Sequence, residues 1–93
     1  MKEFAINIMH NGENKRMMVK GYEVDNNAFL HKAENGSWVV SDKRTGKAIC
    51  TRNSKTEVLV QYGKIYDIYQ KTLLTERYKN MPDVMSLEED TAR

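Results

Sequence analysis

Three glycine turns leave room for little but short strands in the first half of the chain. Asn11-Gly12, Asn35-Gly36 and the "DKRTG" turn ending at Gly46, with "VDNNA" between the first two, cut residues 3–52 into five pieces. Asn-Gly supplies the positive φ angles of a hairpin turn, and Asp and Asn compete locally for backbone hydrogen bonds. In the first piece, "KEFAINIMH", Phe4, Ile6 and Ile8 alternate with Glu3, Ala5 and Asn7. That period of two puts the large apolar side chains on one face of a strand. "RMMVKGYEV", "AFLHKA", the stretch opened by Trp38-Val39-Val40, and "KAICTR" complete an antiparallel meander, with Gly21 marking a bulge or bend in the second strand.

The period then changes. Ser54-x-x-Glu57 is a capping box, in which the Ser hydroxyl accepts from the Glu57 amide and the carboxylate reaches back. At 100° per residue, Val58, Tyr62, Ile65, Tyr66, Tyr69 and Leu73 share one stripe, wide enough to cover a sheet. Pro82 stops the helix. The expected fold is therefore α+β: a five-stranded antiparallel sheet with one long C-terminal helix, residues 54–79, packed on one face. Residues 1–80 form the single domain expected, and residues 81–93 a flexible acidic tail. Trp38, Ile65 and Tyr69 are expected to be largely buried. Trp38 also has a second reading, as a stacking platform for a base.

Charge is divided unevenly. Residues 1–80 hold 14 Lys and Arg against 9 Asp and Glu, whereas residues 81–93 hold Asp83, Glu88, Glu89 and Asp90 against Arg93. Lys15, Arg16, Lys43, Arg44, Lys47 and Arg52 gather at the first and last hairpins, where long cations can meet phosphates without losing water. On the helix, Val60, Leu74 and Tyr78 lie opposite the core stripe, interleaved with Lys64, Asp67 and Lys71. An outward apolar strip beside charges suits a partner protein or a second copy in a homodimer. Gly63 lies next to it and costs roughly 1 kcal/mol against alanine, which a closely approaching backbone would justify.

Chemistry has few carriers here. His10, His31 and Cys50 are far apart, without a Cys-x-x-Cys or a helical His pair, so no metal site is expected. Cys50 and His31 are the one conceivable nucleophile and base, and packing accounts for both. There is no phosphate loop and no recognisable carboxylate pair, so the chain is expected to be a non-enzyme without cofactors. A single cysteine fits a reducing cytoplasm, and no apolar run approaches the roughly 18 residues of a membrane span.

The pieces "AFLHK", "SWVVSD", "RTGKAI" and the Ser54/Glu57 cap resemble small accessory proteins of bacteriophages and prophages. That resemblance implies an intracellular binding protein. Some phage proteins of this size inhibit a host factor such as a defence component, anti-CRISPR proteins among them. The strand-turn-strand-helix order of residues 37–72 is also similar to the three-stranded DNA-binding domains of some phage integrases. This chain departs from them in lacking dense Arg and Lys on the strands. The expected function is thus host-factor binding or inhibition. The alternative is DNA or RNA binding through the basic hairpin.

Overall fold

The computed structural model of the chain describes residues 1–90. Its five strands are β1 (Lys2–His10), β2 (Glu13–Glu23), β3 (Ala28–Lys32), β4 (Trp38–Asp42) and β5 (Ala48–Arg52). They form one antiparallel sheet in the order β1-β2-β3-β4-β5, the meander expected from the turns. Asn11 and Gly12 both have positive φ, as does Gly46. Helix α1 (Lys55–Thr72) follows, with the Ser54 hydroxyl accepting from the Glu57 amide and bonded to the Glu57 carboxylate.

One face of the sheet carries the helix. Ala28, Leu30 and Val40 are buried against Val58, Tyr62 and Tyr69, with Trp38, Cys50 and Leu73 around them. Fully burying a Leu or Val contributes about 1.5–3 kcal/mol, so this cluster is the main anchor of α1. Tyr69 is buried as expected. Trp38 and Ile65 are only half-buried, and Tyr66, at the margin of the stripe, is exposed.

The helix is shorter than expected. It ends at Thr72, and Thr75 starts a separate turn, α2 (Glu76–Lys79). The Thr75 hydroxyl donates to the Thr72 carbonyl and accepts from the Tyr78 amide. An internal cap of this kind ends one helix and begins another. The change of direction carries Tyr78 inward, where its hydroxyl reaches the Asp42 carboxylate.

The other face is buried by curvature of the sheet itself. Phe4 of β1 stacks on Phe29 of β3 with ring centroids 4.3 Å apart. The β4–β5 turn comes back to β1, the Asn7 amide donating to the Gly46 carbonyl at 3.0 Å. Glycine is required there: a Cβ would lie 2.7 Å from the Asn7 nitrogen, and φ is +72°. Gly21 serves the bend in β2, since a Cβ would lie 2.4 Å from the Leu30 carbonyl oxygen.

Residues 82–90 are packed on the body, where a free tail was expected. Val84, in a short 3-10 turn (Val84–Ser86), is buried against the Gly46 turn. The strand β2 pairs with β3 only over Gly21–Glu23, which leaves its first half with an open edge. The Arg16 amide donates to Glu88 and the Asp90 amide to Arg16, so residues 88–90 cover that edge. An open edge invites strand addition, which this segment prevents.

Candidate binding surfaces

On the outer side of α1, Val60 is 54% exposed, and Leu74, in the turn just past the helix end, is 75% exposed. Ile68, which the spacing argument omitted, is 67% exposed on the flank of the same strip. Lys64, Asp67 and Lys71 stand among them, exposed, and none makes an ion pair among the described residues. Nothing lies within 4 Å of where a Cβ on Gly63 would be. Tyr78 does not belong to this strip. The straight-helix extrapolation that placed it there fails at the Thr75 cap.

Tyr78 instead closes a buried polar cluster. Asp42 accepts from the Tyr69 and Tyr78 hydroxyls and, at 2.8 Å each, from the Thr45 amide and hydroxyl. Arg44 lies 4.5 Å from the centre of the Tyr78 ring and donates to the Tyr78 and Met81 carbonyls. Burial, and then the bond to Asp42, push the Tyr69 hydroxyl far above the ordinary tyrosine value. Burial and Asp25 do the same to Tyr62, whose hydroxyl donates to Asp25 at 2.6 Å. Both tyrosines are neutral donors that fix α1 to the loops of the sheet.

The basic hairpins are less available than the sequence implies. Lys15 lies 2.7 Å from Glu88 and 3.2 Å from Glu13, and Arg16 3.9 Å from Glu89. Lys43 pairs with Glu23 at 2.8 Å, and Arg44 is held by Asp83 and the carbonyls above. Of the six, only Lys47 and Arg52 have no carboxylate partner among the described residues. The acidic segment docked on β2 thus occupies the cations of the first hairpin.

His31 and Cys50 do not meet. His31 pairs in register with Val39, and Cys50 with Val40, so the two side chains leave opposite faces of the sheet. Burial pushes the Cys50 thiol up, and the thiol faces the Val58 carbonyl at 3.8 Å. His31 is buried with Nε2 2.9 Å from the Ser41 hydroxyl, and burial holds its imidazole below the ordinary value. His31 also lines a cavity of about 390 Å³ with Ile6, Ile8, Met17 and Val19, in the wedge where β2 and β3 diverge. His10 lies 3.3 Å from Asp90 at its rim. No group of three or more potential metal ligands occurs among the described residues.

Sequence reasoning named Trp38 as a stacking platform but missed the residues that surround it. Lys55 Nζ sits 4.7 Å from the Tyr22 ring and 4.9 Å from the Trp38 ring, and Lys32 Nζ lies 5.9 Å from Trp38. The alternation in β2 carried the signal, since Lys20 and Tyr22 fall on the same face as Leu30, the helix side of the sheet. No protein-family model, curated protein or solved structure matches the chain.

Proposed function

We propose that the chain is a non-catalytic cytoplasmic binding protein of the phage-accessory kind, which seats a host protein on the outer face of α1 and so inhibits it. The observation that carries this reading is the strip of Val60, Ile68 and Leu74, exposed by 54–75% with unpaired Lys64, Asp67 and Lys71 among them. Apolar side chains in the middle of a contact and charges at its rim are the usual anatomy of a protein interface. The open space at Gly63 adds a place where a partner backbone approaches closely. Against the nucleic-acid alternative stands the internal pairing of Lys15, Arg16, Lys43 and Arg44.

The test is affinity capture from a bacterial host lysate, treated with nuclease, using the wild-type chain and Leu74→Asp. Leu74 contributes little to the core, so the variant melts like wild type, while an aspartate in a dry contact costs several kcal/mol. A captured protein lost with Leu74→Asp supports the reading. Equal capture by both chains, or a change of mass in light scattering with no host protein bound, refutes it; the latter assigns the strip to a homodimer.

A further inference from the structure

We infer that the helix-side face of the sheet beyond the N-terminus of α1 is a binding site for single-stranded nucleic acid, sharing only Arg52 with the basic hairpins and independent of the strip on α1. The strand register builds it. Trp38 lies between Lys32 of β3 and Arg52 of β5 as direct cross-strand neighbours. Lys20, on β2 just before its pairing with β3 begins, lines one concavity with Tyr22, Lys32 and Trp38. Arg52, Trp38 and Lys32 therefore form one row across three strands, spaced by about 4.8 Å per strand, with Lys20 across the concavity from Lys32. Tyr22 stands beside this row, 43% exposed.

Charge and shape agree on the occupant. Lys20, Lys32, Arg52 and Lys55 have no carboxylate partner among the described residues, whereas Glu23 at the edge of the site is held by Lys43 and Lys2. Like charges on neighbouring strands repel, and Lys55 at the first turn of α1 faces the positive end of the helix dipole. A row of anions relieves both. Two concavities adjoin at Tyr22, one of about 390 Å³ towards Leu59 and one of about 430 Å³ towards Trp38 and Lys32. Tyr22 lines both concavities and Trp38 one of them; Lys55 and Lys32 lie over these rings at 4.7–5.9 Å, and a base stacks there, whatever its sequence, by displacing an ammonium group onto its phosphate. Phosphates then meet the four cations. A duplex hides its base faces and an acidic peptide has none, so the ligand that uses every feature is a single strand.

Trp38 is the sole tryptophan, and its emission reports directly on stacking. The full chain is titrated with a mixed-sequence single-stranded DNA of about 12 nucleotides, within the usual site sizes. Emission is expected to be quenched at low salt, with affinity falling about 50-fold from 50 to 200 mM salt if four phosphates are contacted. Tyr22→Ala, which keeps the reporter, is expected to weaken binding by roughly 5- to 150-fold. Lys20→Ala with Lys32→Ala is expected to lower both affinity and salt slope. Absence of quenching at 50 mM salt overturns the proposal. So does equal affinity for the duplex, for polyglutamate or for a mononucleotide, or indifference to the Tyr22 and lysine substitutions. All these side chains lie at the rim of the fold, and circular dichroism of each variant confirms that a lost signal is lost binding.

Discussion

Replacing Asp42 by alanine removes one carboxylate and strands four donors. Of these, the Thr45 amide has no second acceptor and cannot rotate, so it bears the full cost of a buried unsatisfied group, about 1–3 kcal/mol. The Tyr69 hydroxyl retains the Asn27 carbonyl at 3.2 Å, which limits its loss to about 1 kcal/mol. The half-buried Tyr78 hydroxyl regains water and loses about 0.5–1 kcal/mol. The Thr45 hydroxyl, which can rotate, adds little, and the expected total is about 2.5–5 kcal/mol, a large share of the 5–15 kcal/mol typical of a native domain. Asp42→Asn is milder, about 1–2 kcal/mol, because its oxygen can stay on Thr45 while its amide donates to a tyrosine oxygen.

The assay is urea unfolding followed by circular dichroism, with Tyr69→Phe, Tyr78→Phe and the double variants completing two cycles. Tyr69→Phe is expected to cost more than Tyr78→Phe, because only the Tyr69 hydroxyl is fully buried. Tyr78→Phe in the Asp42→Ala background is expected to cost almost nothing, since the acceptor is already gone. A loss below about 1 kcal/mol for Asp42→Ala, or additive effects of Asp42 and Tyr78, refutes the idea that this carboxylate ties α2 to the sheet.

Two glycines are expected to respond with opposite sign. Gly46→Ala places a Cβ at positive φ against the β1 backbone and should cost at least about 2 kcal/mol, read as a fall in Tm of roughly 8 °C or more. Gly63→Ala meets open space in mid-helix and should stabilise by about 1 kcal/mol, while weakening any partner that packs on that face. His31 is held neutral by burial, so the unfolded chain takes up its proton first as pH falls through the ordinary value of 6.5. Stability is therefore expected to decline below about pH 6.5, and His31→Gln to flatten that limb of a denaturation series. Tyr62 and Tyr69 titrate above the ordinary value of 10.0 in the fold, so stability stays level up to about pH 10 and falls beyond it. Tyr69→Phe should reduce that alkaline loss.

The elements legible in the sequence are those fixed by local chemistry. Asn11-Gly12 and Gly46 demanded positive φ and obtained it, and Ser54 and Glu57 capped the helix as their spacing requires. Val58, Tyr62 and Tyr69 recur with the helical period and are the residues buried under it. What escaped depends on contacts distant in sequence. A threonine at position 75 has a tolerable helix propensity, and only the reach of Tyr78 to Asp42, 36 residues away, makes its cap the better choice. The docked segment reads as a tail because its apolar residues are few. Val84 alone fills the gap beside Gly46, a gap created by the curvature of the sheet. The outer strip was legible at Val60, within α1; Leu74 is exposed in the turn just past its end, and the extrapolation failed at Tyr78, beyond the Thr75 cap.

The docked segment also governs which cations a partner can meet. The body carries a surplus of positive charge, but charge that already faces a carboxylate attracts little. Lys15 and Arg16 face Glu88 and Glu89, and Arg44 faces Asp83, all three acids lying in that segment. The bond from Lys15 holds the Glu88 carboxyl below its usual value, so this pairing persists through neutral pH. Exposed pairs of this kind contribute little to stability. Their effect is on the field: neutralised side by side, they extend little beyond a Debye length of about 8 Å in physiological salt. Lys20, Lys32, Arg52 and Lys55 have no such counterpart among the described residues; Lys32 and Lys55 lie over the Tyr22 and Trp38 rings, Lys20 lines the same concavity and Arg52 is the cross-strand neighbour of Trp38. An anionic partner diffusing towards this molecule therefore meets less unneutralised positive charge at Lys15, Arg16, Lys43 and Arg44 than at the aromatic end of the helix-side face, although a count of Lys and Arg along the chain would place it at the hairpins.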